Sequence, residues 1–145
     1  MSTVRDIIRK KGRDIWSIAP EASVYEALEL MSEKGAGALL VMSGDEVNGI
    51  LSERDIVRQV DLQGHTSRAT KVEDIMTEEV ISVQVTENLE DCMTTMLEKN
   101  IRHLPVYEGA ELLGLISVRD VLREVVEVQK SLISQLERFI TGGGR

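Results

Sequence analysis

Cysteine is almost missing from this chain. Only Cys92 occurs, so no intramolecular disulfide can form, which fits a reducing compartment such as the cytoplasm. Aromatic residues make up 3% of the sequence, and a core must therefore be built from Leu, Ile, Val and Met. Positive charge is in deficit: 17 Lys and Arg stand against 25 Asp and Glu, a net charge of −8. That balance argues against sequence-independent binding to nucleic acid or to an anionic membrane. No apolar run approaches the roughly 20 residues needed to cross a bilayer. The N-terminus lacks the continuous apolar core of a secretory signal. The expectation is a cytoplasmic globular protein. The GGGR ending reads as a frayed tail or an appended remnant.

Motifs of common enzymes are missing too. There is no GxxxxGK[ST] phosphate loop. GAGALL (35–40) lacks the third glycine of a dinucleotide fingerprint and runs from helix to strand, the reverse of the required order. The two histidines, His65 and His103, lie far apart without cysteine partners, which argues against zinc. No G-x-S-x-G elbow accompanies His103. Glu78-Glu79 reads as a solvated turn rather than an acid–base pair. Met93 and Met96 fall on a helix face as core filler, and Cys92 on the same helix reads as a buried structural thiol. No catalytic residue is expected.

What is present is a repeat. GILSERD (49–55) returns as GLISVRD (114–120), a shift of 65. The same shift carries residues 16–58 onto 81–123 without a gap, with thirteen identities. VRDII (4–8) resembles VEDIM (72–76) at a shift of 68, so the first copy holds three extra residues around Lys10–Asp14. The organisation reads as repeat 1 over 1–60, a polar linker over 61–71, repeat 2 over 72–127 and an extension over 128–145. In the first copy, Asp6 can cap a short helix, and IWSI (15–18) is extended. A helix then runs from Ser23, with Glu26 completing a capping box, to Gly35. Strands at 38–42 and 47–52 follow, joined by a turn, and then a helix over 53–60. The second copy gives VISV (80–83), a helix capped by Thr86, strands at 103–107 and 112–117, and a helix from 118. The unit is β-α-β-β-α, twice, an α/β (α+β) fold. Apolar positions hold helical period from 121 to 140, so the last helix extends beyond its repeat. It calls for something to pack on, either a second subunit or its own chain.

Each septet marks a strand that ends in Ser and turns into a helix. Ser is a preferred N-cap. The helix start favours an anion. Asp55 and Asp120 can accept two hydrogen bonds from vicinal ribose hydroxyls, and Arg54 and Arg119 can fork onto phosphate. Gly49 and Gly114 let another backbone or a flat ligand come close. The plainer alternative is that Ser-x-x-Asp is only a cap.

The tandem β-α-β-β-α units, the Gly-x-x-Ser-x-x-Asp endings and the RHLPV strand (102–106) resemble a CBS domain pair, or Bateman module, over residues 4–127. The chain looks like the stand-alone bacterial CBS-pair proteins. The resemblance implies two repeats packed with pseudo-two-fold symmetry around two clefts that take adenosine-containing ligands: AMP, ADP, ATP, NAD or S-adenosylmethionine. It implies that Ser52 and Asp55, and Ser117 and Asp120, contact phosphate and ribose. It groups Asp55 with Thr77, Val80, Ile81, Val83, Ile101, Arg102 and His103. It groups Asp120 with Ile15, Trp16, Ile18, Ala36, Gly37 and Ala38. Arg102-His103 replaces Gly37-Ala38 at the matching place, so the cleft of Asp55 is expected to be the stronger. KKGR (10–13) either lends positive charge to the other cleft or is a solvated basic turn. Trp16 either stacks on adenine or packs ordinarily. The expected function is a non-catalytic regulatory sensor, needing no cofactor, homodimeric, acting on an unidentified protein partner. The alternative is a structural dimerisation module with vestigial clefts.

Overall fold

A computed structural model describes residues 2–141; the GGGR ending lies outside the described residues. The first helix, α1 (Val4–Lys11), follows Thr3 as N-cap. Asp6 is not the cap. It sits in the first turn, where its carboxylate accepts the Thr3 N–H at 2.9 Å. β1 (Ser17–Ile18) leads to α2 (Val24–Lys34). Ser23 Oγ accepts the Glu26 N–H at 3.1 Å, and Gly35 closes the helix in the left-handed region at φ 64. The equivalent helix of the second copy, α5 (Leu89–Lys99), is capped by Asn88 rather than Thr86. Asn88 occupies the place of Ser23 in the repeat, and its Oδ1 takes the Asp91 N–H at 2.8 Å.

Each copy contributes one three-stranded sheet. β2 (Ala38–Ser43) pairs in parallel with β1 and antiparallel with β3 (Glu46–Ser52). β5 (His103–Glu108) pairs in parallel with β4 (Val83–Gln84) and antiparallel with β6 (Glu111–Ser117). Both hairpins break register at the same repeat position, after Val41 and after Val106. β3 turns into α3 (Glu53–Ile56), which continues as a π-helical turn over Val57–Asp61. β6 turns into the long α6 (Val118–Ile140). The short α4 (Val72–Ile75) opens the second copy.

Two compact units emerge, and they do not follow the repeats. One is Asp14–Ile81; the other joins the residues up to Arg13 with those from Ser82 onward. The leading helix of each copy joins the sheet of the other. Val4, Ile7 and Ile8 of α1 are buried with Val83, Leu104, Val106 and Ile116. Val72 of α4 is buried with Val24, Met31, Leu39 and Leu51. Matching bridges tie each leading segment to a helix cap, Thr3 to Asn88 and Lys71 to Ser23. The polar stretch 61–71 is docked on the start of α2. Ser67 and Thr70 carbonyls accept from Tyr25 and Val24, at 3.0 and 2.8 Å, and Arg68 stacks 3.7 Å from the Tyr25 ring centre. Cys92 and Met96 are core residues, as the helix face predicts. Burial, then the charge of Glu87, push the Cys92 thiol up to about 11, so it stays protonated. No helix of the described residues is long and apolar enough to cross a membrane.

Candidate functional site

The two septets build matching corners. At the first, Asp55 Oδ2 accepts the Ser52 N–H at 3.0 Å and the Ser52 hydroxyl at 2.9 Å, and Ser52 Oγ accepts the Asp55 N–H at 3.2 Å. At the second, Asp120 Oδ2 accepts the Ser117 N–H at 2.8 Å, and Ser117 Oγ accepts the Asp120 N–H at 3.1 Å. These are reciprocal capping boxes. The next amide is also engaged: Glu53 N–H donates to the Gly37 carbonyl at 3.1 Å, and Val118 N–H to the Arg102 carbonyl at 2.9 Å. The helix starts therefore offer fewer open amides than the sequence suggests. The carboxylates keep capacity, because every bond to Asp55 and Asp120 among the described residues falls on Oδ2. Oδ1 is left for an incoming donor. The sequence carries no signal for these roles of the Gly37 and Arg102 backbone carbonyls.

The corners differ in charge. KKGR is exposed, but its three cations are paired with carboxylates. Lys11 Nζ donates to Asp120 Oδ2 and to the Leu115 carbonyl, both at 2.7 Å. Lys10 grips both oxygens of the buried Glu124, at 3.0 and 2.9 Å, and Arg13 meets Glu111 at 2.7 Å. The three extra residues of the first copy explain this reach: α1 runs eight residues where α4 runs four. Asp55 has no such cation among the described residues. Burial pushes the Asp120 carboxyl up, but the Lys11 hydrogen bond and the Ser117 bonds outweigh it and hold the group below its ordinary value.

His103 sits opposite Ser117 in the β5–β6 ladder. Burial first, then Lys11 and Arg102, depress its pKa below 6.5, with Asp120 opposing. The unfolded chain therefore takes up a proton first as the pH falls below about 6.5, and stability is lost through that window. The urea midpoint is expected to fall from pH 7.5 to 5.5 in the wild type and to fall less in His103→Gln. Equal slopes in the two proteins would remove this account of His103.

The other residues named from the sequence fall as follows. Thr77, Val80 and Ile81 share the unit of Ser52, Arg54 and Asp55, whereas Val83, Ile101, Arg102 and His103 share that of Ser117, Arg119 and Asp120. Ile15, Trp16, Ile18, Ala36, Gly37 and Ala38 share the unit of Asp55. Thr77 bridges to Ile50 through two backbone bonds of 2.9 and 3.0 Å, directly behind Gly49. Val83 and Ala38 are buried core residues. Lys34 lies over the Trp16 ring, 4.6 Å from its centre. Gly49 admits backbone rather than an open face: a Cβ there would stand 2.7 Å from the Thr77 carbonyl. At Gly114 the neighbour is the Ile8 side chain. No cluster of metal-ligating side chains occurs among the described residues.

Comparison with known proteins agrees with this architecture. The CBS domain family model matches residues 3–61 and 72–127, and the chain belongs to that family. A solved protein with CBS domains from Burkholderia ambifaria is 44% identical, with a TM-score of 0.84, over 87% of this chain and 95% of the other. The mitochondrial CBS domain-containing protein CBSX3 of Arabidopsis thaliana is 34% identical, over 98% of this chain and 73% of its own length. The CBS domain pair of protein MJ0100, solved in complex with 5′-methylthioadenosine and S-adenosylmethionine, shares the fold at a TM-score of 0.76 and 20% identity. The fold is that of tandem CBS repeats with a C-terminal helix, and such pairs are regulatory modules.

Proposed function

We propose that the chain is a non-catalytic sensor of an adenosine-containing small molecule, AMP, ADP, ATP, NAD or S-adenosylmethionine, and needs no cofactor of its own. The carrying observation is the pair of reciprocal Ser–Asp corners, in which Oδ1 of Asp55 and of Asp120 takes no bond among the described residues. A ribose hydroxyl donates to such an oxygen, and Arg54 or Arg119 neutralises phosphate. The adenosine ligands of MJ0100 support this ligand class. The Asp55 corner is the favoured site, with Thr77, Val80 and Ile81 of its unit contributing to it. The Asp120 corner already holds a cation, Lys11. That contact favours a structural role at the second corner, where α1 is fastened to β6 and α6. In this reading the protein is a cytoplasmic homodimer that passes a ligand-induced population shift to a protein partner.

Thermal unfolding with a panel of adenosine compounds tests the reading. A ligand at 100 times its Kd is expected to stabilise the fold by about 2.7 kcal/mol. Unchanged melting with every member of the panel would leave only the structural module.

A further inference from the structure

The far half of α6 is an apolar surface without a partner in its own unit. The family match ends at residue 127, whereas α6 continues to Ile140. Leu132, Ile133, Leu136, Phe139 and Ile140 are each more than half exposed. Helical period alone does not say what covers such a face, but its finer spacing does. Leu122, Val126, Gln129, Ile133, Leu136 and Ile140 alternate steps of four and three, the heptad seam of a coiled coil. β-branched Val126, Ile133 and Ile140 fill the a positions, with Leu122 and Leu136 at d. Val121 and Val125, which pack on the chain's own core, and Glu124, which is held by Lys10, lie off this seam.

Charge selects the orientation. The e positions hold Arg123, Lys130 and Glu137, all exposed. In an antiparallel pair centred at residue 131, Leu122 meets the partner's Ile140, Val126 the partner's Leu136, and Gln129 the partner's Ile133. Arg123 then faces the partner's Glu137, twice by symmetry, and Lys130 meets its counterpart, so two attractive contacts flank one repulsive contact. A parallel pair would set Lys130 and Glu137 against Val125 and Leu132 and make no ion pair.

We propose that α6 pairs with α6 of a second copy as an antiparallel two-stranded coiled coil, which supplies a contact of the homodimer. This surface deepens the assembly part of the proposed function and is independent of ligand binding.

The test is sedimentation of the full chain over a concentration series. The wild type is expected to dimerise. Leu136→Glu, at an exposed position, is expected to weaken the dimer roughly a hundredfold, because it sets an unpaired charge in the seam. Its cooperative thermal melt is expected to persist, which shows that the units remain folded. Arg123→Glu and Glu137→Arg are each expected to weaken the dimer about tenfold, and the double exchange to restore it. A dimer indifferent to Leu136→Glu would place the interface elsewhere and overturn the proposal while the homodimer stands. Failure of the double exchange to restore would overturn the antiparallel pairing. A monomeric wild type would overturn both the pairing and the homodimer.

Discussion

Gly49→Ala is expected to destabilise the chain by about 2–3 kcal/mol, a fall of roughly 6–10 °C in Tm. The new methyl would meet the Thr77 carbonyl at 2.7 Å and Met76 Sδ at 2.8 Å. A carbonyl cannot swing aside as a side chain does. This one also accepts the Ile50 N–H at 3.0 Å, so relief would open the bridge that fastens the segment after α4 to β3. The repeat provides an internal control. At Gly114 the nearest atom is Ile8 Cδ1 at 3.2 Å, the end of a flexible side chain. Gly114→Ala is expected to cost about 1 kcal/mol or less, since a rotamer change suffices. Thermal melts of the two variants decide the matter: equal losses, or a neutral Gly49→Ala, would show that the Thr77 contact does not constrain β3.

This contrast marks how much the sequence can carry. The duplicated septet, the Ser23 cap with Gly35 at the helix end, and the alternation of short apolar runs with turns are local signals, and α2, β3 and β6 stand where those signals put them. The strand expected over 80–83 forms instead at Val83–Gln84, and the helix expected over 53–60 turns π-helical after Ile56. Caps were harder wherever two polar residues compete within one turn. Asp6 and Thr86 are plausible caps by type, yet Thr3 and Asn88 hold those places because the repeat aligns them with the cap positions. The exchange of leading helices was not legible, since a repeat read along the chain does not say which sheet its first helix covers. α1 covers the second copy's sheet because Val4, Ile7 and Ile8 fill that core. The same exchange brings Lys11 to Asp120. The basic run KKGR was visible, but its targets lie about a hundred residues away, and only the fold brings them together. Arg102 and His103 themselves lie in the unit of Asp120 rather than that of Asp55, and the difference in charge between the corners comes from Lys11. One corner carries its own counter-charge, and the other does not.

Asp55→Ala is expected to reduce affinity for the adenosine ligand by about a hundredfold, from the loss of charge-assisted hydrogen bonds worth about 3 kcal/mol. The same change removes a helix-cap partner and costs about 1 kcal/mol of stability. Binding must therefore be read by a method independent of melting. Asp55→Asn separates the effects, because its amide oxygen can still accept the Ser52 N–H while the negative charge is lost. It is expected to keep most of the stability and to lose about tenfold in affinity. Asp120→Ala should show the reverse balance. Its carboxylate is tied to Lys11 Nζ at 2.7 Å and to the Ser117 N–H at 2.8 Å, so its removal loosens α1 from β6 and α6 more than it weakens ligand binding.

Titration calorimetry of the wild type, Asp55→Ala and Asp120→Ala with the compound that gives the largest thermal shift brings these expectations to one experiment. The account predicts heat of binding in the wild type and in Asp120→Ala, and none at the same concentrations in Asp55→Ala. Binding that survives in Asp55→Ala and disappears in Asp120→Ala would contradict it.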